Sequence, residues 1–158
     1  MFYESKLTKL GYTLPVAPKP LASYASGVLI DGYIYVSGQL PIVEGKLAYS
    51  GRLGEDCSLE DAVKAAEICA LNCLGVLKSL AGELDNVEKI VKVGGFVNSS
   101  PNFTAHPTVV NGASDLLQKV FAEAGLHSRI AVGVAALPLN ACCEVEMIAK
   151  LKNTFNQN

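Results

Sequence analysis

An Asp31-Gly32 pair lies between two β-rich runs, GVLI and YIYVSG. Both central positions of a two-residue type I′ turn need positive φ, which Asp and Gly tolerate and most residues do not. The pair therefore predicts a tight antiparallel hairpin, with strands over residues 25–30 and 33–38. Few other foldings place two such runs two residues apart.

The rest of the chain alternates helix and strand patterns. Ser58 is a good N-cap, with Asp61 in the capping-box position and Glu60 favourable to the dipole in the first turn. From Leu59 the apolar stripe Ala62, Ala66, Cys69, Cys73, Val76, Leu77 and Leu80 keeps helical spacing, and Gly82 is the expected stop. Residues 87–98 alternate as a half-buried strand, although Lys89 and Lys92 fall outside strict alternation. A second helix is expected over 109–124, its stripe running from Val109 through Leu116, Leu117 and Phe121 to Ala124, with Gly125 ending it. Strands over 129–135 and 141–151 follow, joined through Leu137-Pro138.

Residues 1–23 read as an irregular N-terminal arm, interrupted by Pro15, Pro18 and Pro20, with at most a helical turn over 6–10. The expected organisation is this arm, one domain over 24–152, and a tail over 153–158. The order β-β-loop-α-β-α-β-β fits an α/β (α+β) fold: one mixed sheet with two helices packed on one face.

That architecture leaves one sheet face bare. On the last strand Cys143, Val145, Met147, Ala149 and Leu151 share one side, and Cys142, Glu144, Glu146, Ile148 and Lys150 the other. The first set should meet the helices. No further element is available to cover the second, so a homo-oligomer packed through its sheet is expected.

Composition narrows the function. The net charge of -2, without Lys or Arg runs, argues against nucleic-acid backbone binding. No apolar stretch reaches the length that spans a bilayer, and the start MFYESKLTKLGYTLP lacks a signal-peptide layout. Five cysteines without a secretion signal read as reduced thiols of a cytoplasmic protein. Their spacing holds no four-ligand zinc pattern, so small core or interface residues are expected and no metal.

Arg129 is the one permanently charged side chain between His127 and Pro138. Three readings stand: an ion pair with Glu144, exposure at a strand end, or a bidentate grip on a carboxylate ligand. Glu144 is either a paired or solvated strand residue, or a group that orients water. Asn111 and Tyr24 have equally plain readings as a surface polar residue and a strand-edge aromatic. His106 and His127 lack ligand spacing and read as structural or solvent-facing. No Ser-His-Asp set, phosphate loop or nucleotide fingerprint assembles.

The segments YVSGQLPI, VKVGGFV and SRIAVGVAALPLNACCEVEMIA occur in an order that resembles the Rid (YjgF-like) family, the reactive intermediate deaminases. Some members were historically labelled L-PSP endoribonucleases. The similarity runs from about Ala22 to Leu151, and the proline-bearing arm and the longer loop near 49–55 make the chain similar to a longer branch of the family. The resemblance implies a chorismate-mutase-like fold in a homotrimer, three sheets forming a central barrel with clefts between subunits.

It also implies hydrolysis of enamine or imine intermediates, of the 2-aminoacrylate and 2-iminopropanoate type, to 2-keto acids and ammonia without a cofactor. The family's carboxylate-binding arginine falls on Arg129 and its water-positioning glutamate on Glu144. Its substrate-binding positions fall on Tyr24, Ser37, Gly38, Asn111 and the backbone of Ala131. The alternatives are a non-catalytic binder or sensor of small carboxylates and, with less support, an endoribonuclease. Where many deaminating members carry a polar or cysteine-containing stretch after the arginine, this chain has Ile130-Ala131.

Overall fold

Asp31 and Gly32 both take left-handed backbone, at φ 50° and 77°, as a type I′ turn requires. The turn folds β1 (Gly27–Ile30) against β2 (Tyr33–Gln39), with Ile30 opposite Tyr33. The computed structural model describes residues 1–17 and 23–152. Pro18 and Pro20 of the expected arm, and the expected tail over 153–158, lie outside the described residues.

After β2 a second small hairpin turns at Glu44-Gly45, pairing β3 (Ile42–Val43) with β4 (Lys46–Leu47). Helix α2 then runs Leu59–Ala81; the Ser58 hydroxyl accepts the Asp61 amide at 3.1 Å, and Gly82 at φ 78° ends it. Strand β5 (Val87–Asn98), helix α3 (His106–Phe121), strand β6 (Ser128–Val134) and strand β7 (Cys143–Leu151) complete the order.

The sheet order is β1-β2-β7-β5-β6, with β5 and β6 parallel and every other pair antiparallel. A mixed sheet backed by α2 and α3 is the α/β arrangement expected from the element order. β5 slips register against β7 near Val87/Lys89 and Ile90/Lys92, the stretch where the two lysines broke alternation. These irregularities let Val87, Ile90 and Val93 all stay buried.

Helix α3 begins three residues earlier than the apolar stripe indicated. Pro107 sits in its first turn, where a missing N–H costs nothing. It also ends sooner, giving way at Ala122 to a 3-10 turn through Gly125.

A third helix, α1 (Phe2–Lys9), replaces the irregular run expected at the start of the chain. Its capping comes from far away: Asp85 accepts the Phe2 and Tyr3 amides. Leu7 is 1% exposed in the core, and the Tyr3 ring packs on Phe121 with centroids 4.5 Å apart.

Between the sheet and helices α2 and α3, Leu74, Leu77, Leu116 and Leu117 are fully buried. Each contributes about 1.5–3 kcal/mol of hydrophobic stabilisation. Cys69, Cys73, Cys142 and Cys143 join this core as small apolar residues, and all five cysteines are unbridged. Cys142 is buried although its parity matches the bare face, because it precedes the first residue of β7.

Along β7 the odd-numbered residues from Cys143 to Leu151 are buried against the helices, as the alternation indicated. On the other face Val28 lies beside Tyr35 and Tyr35 beside Ile148. Val28, Ile30, Tyr35 and Ile130 are 46–55% exposed, an apolar surface that no other described element covers. No helix among the described residues is long and apolar enough to cross a membrane.

Candidate active site

Strand β6 is parallel to β5 at the sheet edge, and its register decides where Arg129 goes. Arg129 stands opposite Val93, and Val93 is fully buried under the helices. Arg129, Ala131 and Gly133 therefore share the helix side of the edge strand. The guanidinium reaches to α3, where Nη1 donates to Asn111 Oδ1 at 2.8 Å and to Ser114 Oγ at 3.1 Å. Nη2 donates to the Pro107 carbonyl at 3.5 Å. Arg129 forms no ion pair with a described residue, so the expected alternative of an Arg129–Glu144 pair is absent within the chain.

A guanidinium carries five N–H groups. With both on Nη1 engaged and one on Nη2 directed to Pro107, the Nε N–H and the second Nη2 N–H are left for an incoming group. Together they match the two oxygens of a carboxylate. A cavity of about 260 Å³ opens beside Arg129, lined also by Asn111, Ser114, Asp115, Gln118 and His127.

Ser114 and His127 hold the arginine through a chain whose polarity is fixed at its far end. The Gly125 carbonyl can only accept, so His127 Nδ1, 2.6 Å away, carries a proton. In the neutral ring Nε2 then accepts from Ser114 Oγ at 2.9 Å, and Ser114 in turn accepts from Arg129. Burial holds the His127 pKa below the ordinary imidazole value, with Arg129 and Lys89 adding to the effect and the Gly125 carbonyl opposing it. The neutral tautomer is thus favoured. Neither Ser114 nor a role for His127 was recognised from the sequence. The available signal was spacing: Ser114 lies three residues after Asn111 on one helix face.

Glu144 occupies the opposite face of the sheet. It pairs in register with Phe96, while Val145 points into the core. Its carboxylate lies over Gly38, where a Cβ would come within 2.0 Å of Glu144 Oε1. A side chain at residue 38 would force the Glu144 carboxylate to shift. Ser37 and Gly38 form a bulge that stands opposite Glu146 between the Val36–Met147 and Gln39–Val145 pairs. Ser37 Oγ donates to the Ala25 carbonyl at 2.7 Å, which ties the segment next to the half-exposed Tyr24 to this bulge. Burial raises the Glu144 pKa above the usual carboxylate value, and the neighbouring Glu146 charge adds to it.

The residues singled out from sequence therefore fall into two groups. Arg129, Asn111 and Ala131 lie on the helix side at the sheet edge. Glu144 and Gly38, with Ser37 and Tyr24 tied to the same stretch, lie at the bare face. By strand geometry the Arg129 and Glu144 Cα atoms are roughly 14 Å apart, with side chains directed to opposite sides. Among the described residues, no group of three or more His, Cys, Asp or Glu side chains converges as a metal site would.

Residues 4–151 match the family described as "YjgF/chorismate mutase-like, putative endoribonuclease". The chain belongs to this family. Protein TCP17 of Trypanosoma cruzi is 42% identical over 150 residues, covering 94% of each chain. A 2-iminobutanoate/2-iminopropanoate deaminase of Rattus norvegicus is 30% identical, covering 84% of this chain and 83% of its own. The mitochondrial protein Mmf1 of Saccharomyces cerevisiae is 33% identical over 87% of this chain and 81% of its own. The crystal structure of Atu1372 from Agrobacterium tumefaciens, a protein of unknown function, superposes with a TM-score of 0.89 at 42% identity. That match covers 96% of this chain and 93% of the other. The YjgF-like fold expected from the sequence is therefore the fold observed, and deaminases are among the relatives.

Proposed function

We propose that the protein hydrolyses small reactive 2-imino acids to 2-keto acids and ammonia, at sites shared between copies of the chain. The observation that carries this reading is the Arg129 guanidinium, oriented by Asn111 and Ser114, without an acidic partner among the described residues, and beside a cavity. Deaminases among the relatives support the reaction class.

Arg129 anchors the substrate carboxylate through its Nε and Nη2 edge. Glu144 of a neighbouring copy accepts a proton from water as the water oxygen attacks the imine carbon. The C=N electron pair moves to nitrogen, which takes up a proton. Collapse of the resulting carbinolamine breaks the C–N bond, releasing ammonia and leaving the keto acid. A carboxylate raised by burial is a better base toward water than an ordinary one. Confining both reactants in one cleft supplies a further several kcal/mol. Ser37, Gly38 and Tyr24 accompany Glu144 on its side of the cleft; Asn111 and the Ala131 backbone accompany Arg129 on the other.

The exposed apolar surface around Val28, Tyr35 and Ile148 supports assembly through the sheet, and we propose the homotrimer implied by the family resemblance. Five unbridged thiols fit a reducing compartment, and the cytoplasm is the one we propose. The mitochondrial placement of the yeast relative makes localisation a separate measurement.

A second reading has its own observation. Ala131, two residues after Arg129 on the same face, offers no side-chain polar group to a substrate, which favours capture of 2-keto acids without turnover. One assay separates the two: 2-aminoacrylate is generated in situ by a lyase and keto-acid release is followed. Arg129→Ala should lower the rate about 10–100-fold, the loss of one charge-assisted anchor, without unfolding. Equal rates for the variant and the wild type would reject deamination at this site.

A further inference from the structure

The helix side of β6 does not end at Arg129. Ala131 and Gly133 continue it with small side chains, and the guanidinium leans along this line, reaching the carbonyl of Pro107. The preceding residue, His106, lines a second cavity of about 390 Å³ together with Arg52, Ser99, Ser100, Phe103 and Gly133. A Cβ at Gly133 would come within 2.5 Å of His106 Nε2 and 2.6 Å of Ser99 Oγ. The glycine thus lets the imidazole and hydroxyl, 3.0 Å apart, sit directly against the strand.

Resting on the reading of Arg129 as a carboxylate anchor, we infer that this cavity is a distal subsite for a second carboxylate, so that 2-imino and 2-keto dicarboxylates are the favoured ligands.

The lining carries the argument. It contains a guanidinium, an imidazole and two hydroxyls, and no Asp or Glu. Such a set favours an electron-rich, anionic group over an apolar or cationic one. Arg52 is only partly compensated. Nη2 donates to the Ala135 carbonyl at 3.0 Å, and Nη1 is 3.5 Å from Glu55, a side chain 52% exposed and readily displaced. Its Nε is buried with no partner among the described residues. The Phe103 ring packs edge-on to His106, centroids 5.3 Å apart, and limits the freedom of the imidazole. Arg129 lies near the start of β6 and Arg52 is bonded to Ala135 just past its end, so a ligand with one acid group has a partner at a single end only.

Calorimetric titration of the full chain with 2-oxoglutarate, pyruvate and 2-oxobutanoate tests this. The dicarboxylate should bind at least about tenfold tighter than 2-oxobutanoate, the worth of one further charge-assisted contact. Arg52→Gln should bring the ratio near one. Because Arg52 also supports the Ala135 carbonyl, Ala135→Glu is the second variant: it sets a carboxylate beside Arg52 at an exposed position and should also remove the preference. Arg129→Ala should weaken all three acids.

Arg129-dependent binding without a dicarboxylate preference overturns the subsite and leaves the anchor standing. A preference that survives both Arg52→Gln and Ala135→Glu does the same. If Arg129→Ala binds the acids as the wild type does, or if no acid binds, the anchor fails and the subsite with it.

Discussion

Placing Arg129 and Glu144 on opposite faces of one sheet has a consequence that mixing experiments read directly. Arg129 pairs with buried Val93 and Glu144 with Phe96 on the bare side, so neither side chain can reach round β5 to the other. On the proposed deaminase reading, a working site takes its arginine from one copy and its glutamate from the next. Arg129→Ala and Glu144→Gln assemblies should each be nearly inactive. In an equal mixture allowed to exchange subunits, half the arginine positions and half the glutamate positions are intact. About one quarter of the shared sites then carry both, whatever the number of subunits in a closed ring. Activity should rise to about a quarter of wild type, well above the residual 10% or less expected of Arg129→Ala alone. Keto-acid release from lyase-generated 2-aminoacrylate measures it, with native mass spectrometry showing that subunits have exchanged. Exchange without recovery would mean that both groups act from one chain or that one of them does not act, and the split-site argument would fall.

Two other predictions concern the supports of the site. His127 has a pKa lowered in the folded protein, so its neutral form contributes stability above about pH 6.5, its unfolded value. That contribution is lost as the pH falls toward the lower folded value. Urea unfolding between pH 7.5 and 5 should show a steeper loss for wild type than for His127→Gln, and parallel curves would refute the buried neutral assignment. On β5, a Cβ at Gly95 would come 2.3 Å from Val110 Cγ2. Gly95→Ala should cost about 1–3 kcal/mol in thermal or urea unfolding, and adding Val110→Ala should relieve the steric part. If the double variant is as unstable as the sum of its parts, the clash is not the cause.

Much of the fold was legible because local chemistry and tertiary packing agree. The Asp31-Gly32 turn, the Ser58 cap and the alternation of β7 each use signals that neighbours in sequence supply. The bare sheet face followed from counting elements against surfaces. Helix α1 was not legible, since its cap is the Asp85 carboxylate and its anchor is a pocket for Leu7, both distant in sequence. His127 looked solitary for the same reason: its side-chain partner Ser114, which in turn accepts from Arg129, sits on a different element.

Sequence by itself determined the order of the main strands and the two long helices and the side to which each β7 residue points, and the family resemblance marked Arg129 and Glu144 as candidates. Periodicity of 2 and 3.6 is local information, and the elements and their faces need nothing more. Only the tertiary structure decided that the two candidates lie apart. Sheet order and the parallel register of β6 on β5 are long-range choices, made when the α2 and α3 stripes close over one face. That closure aims Arg129 at α3, leaves Glu144 on the far side, and makes a second copy necessary for the two to meet.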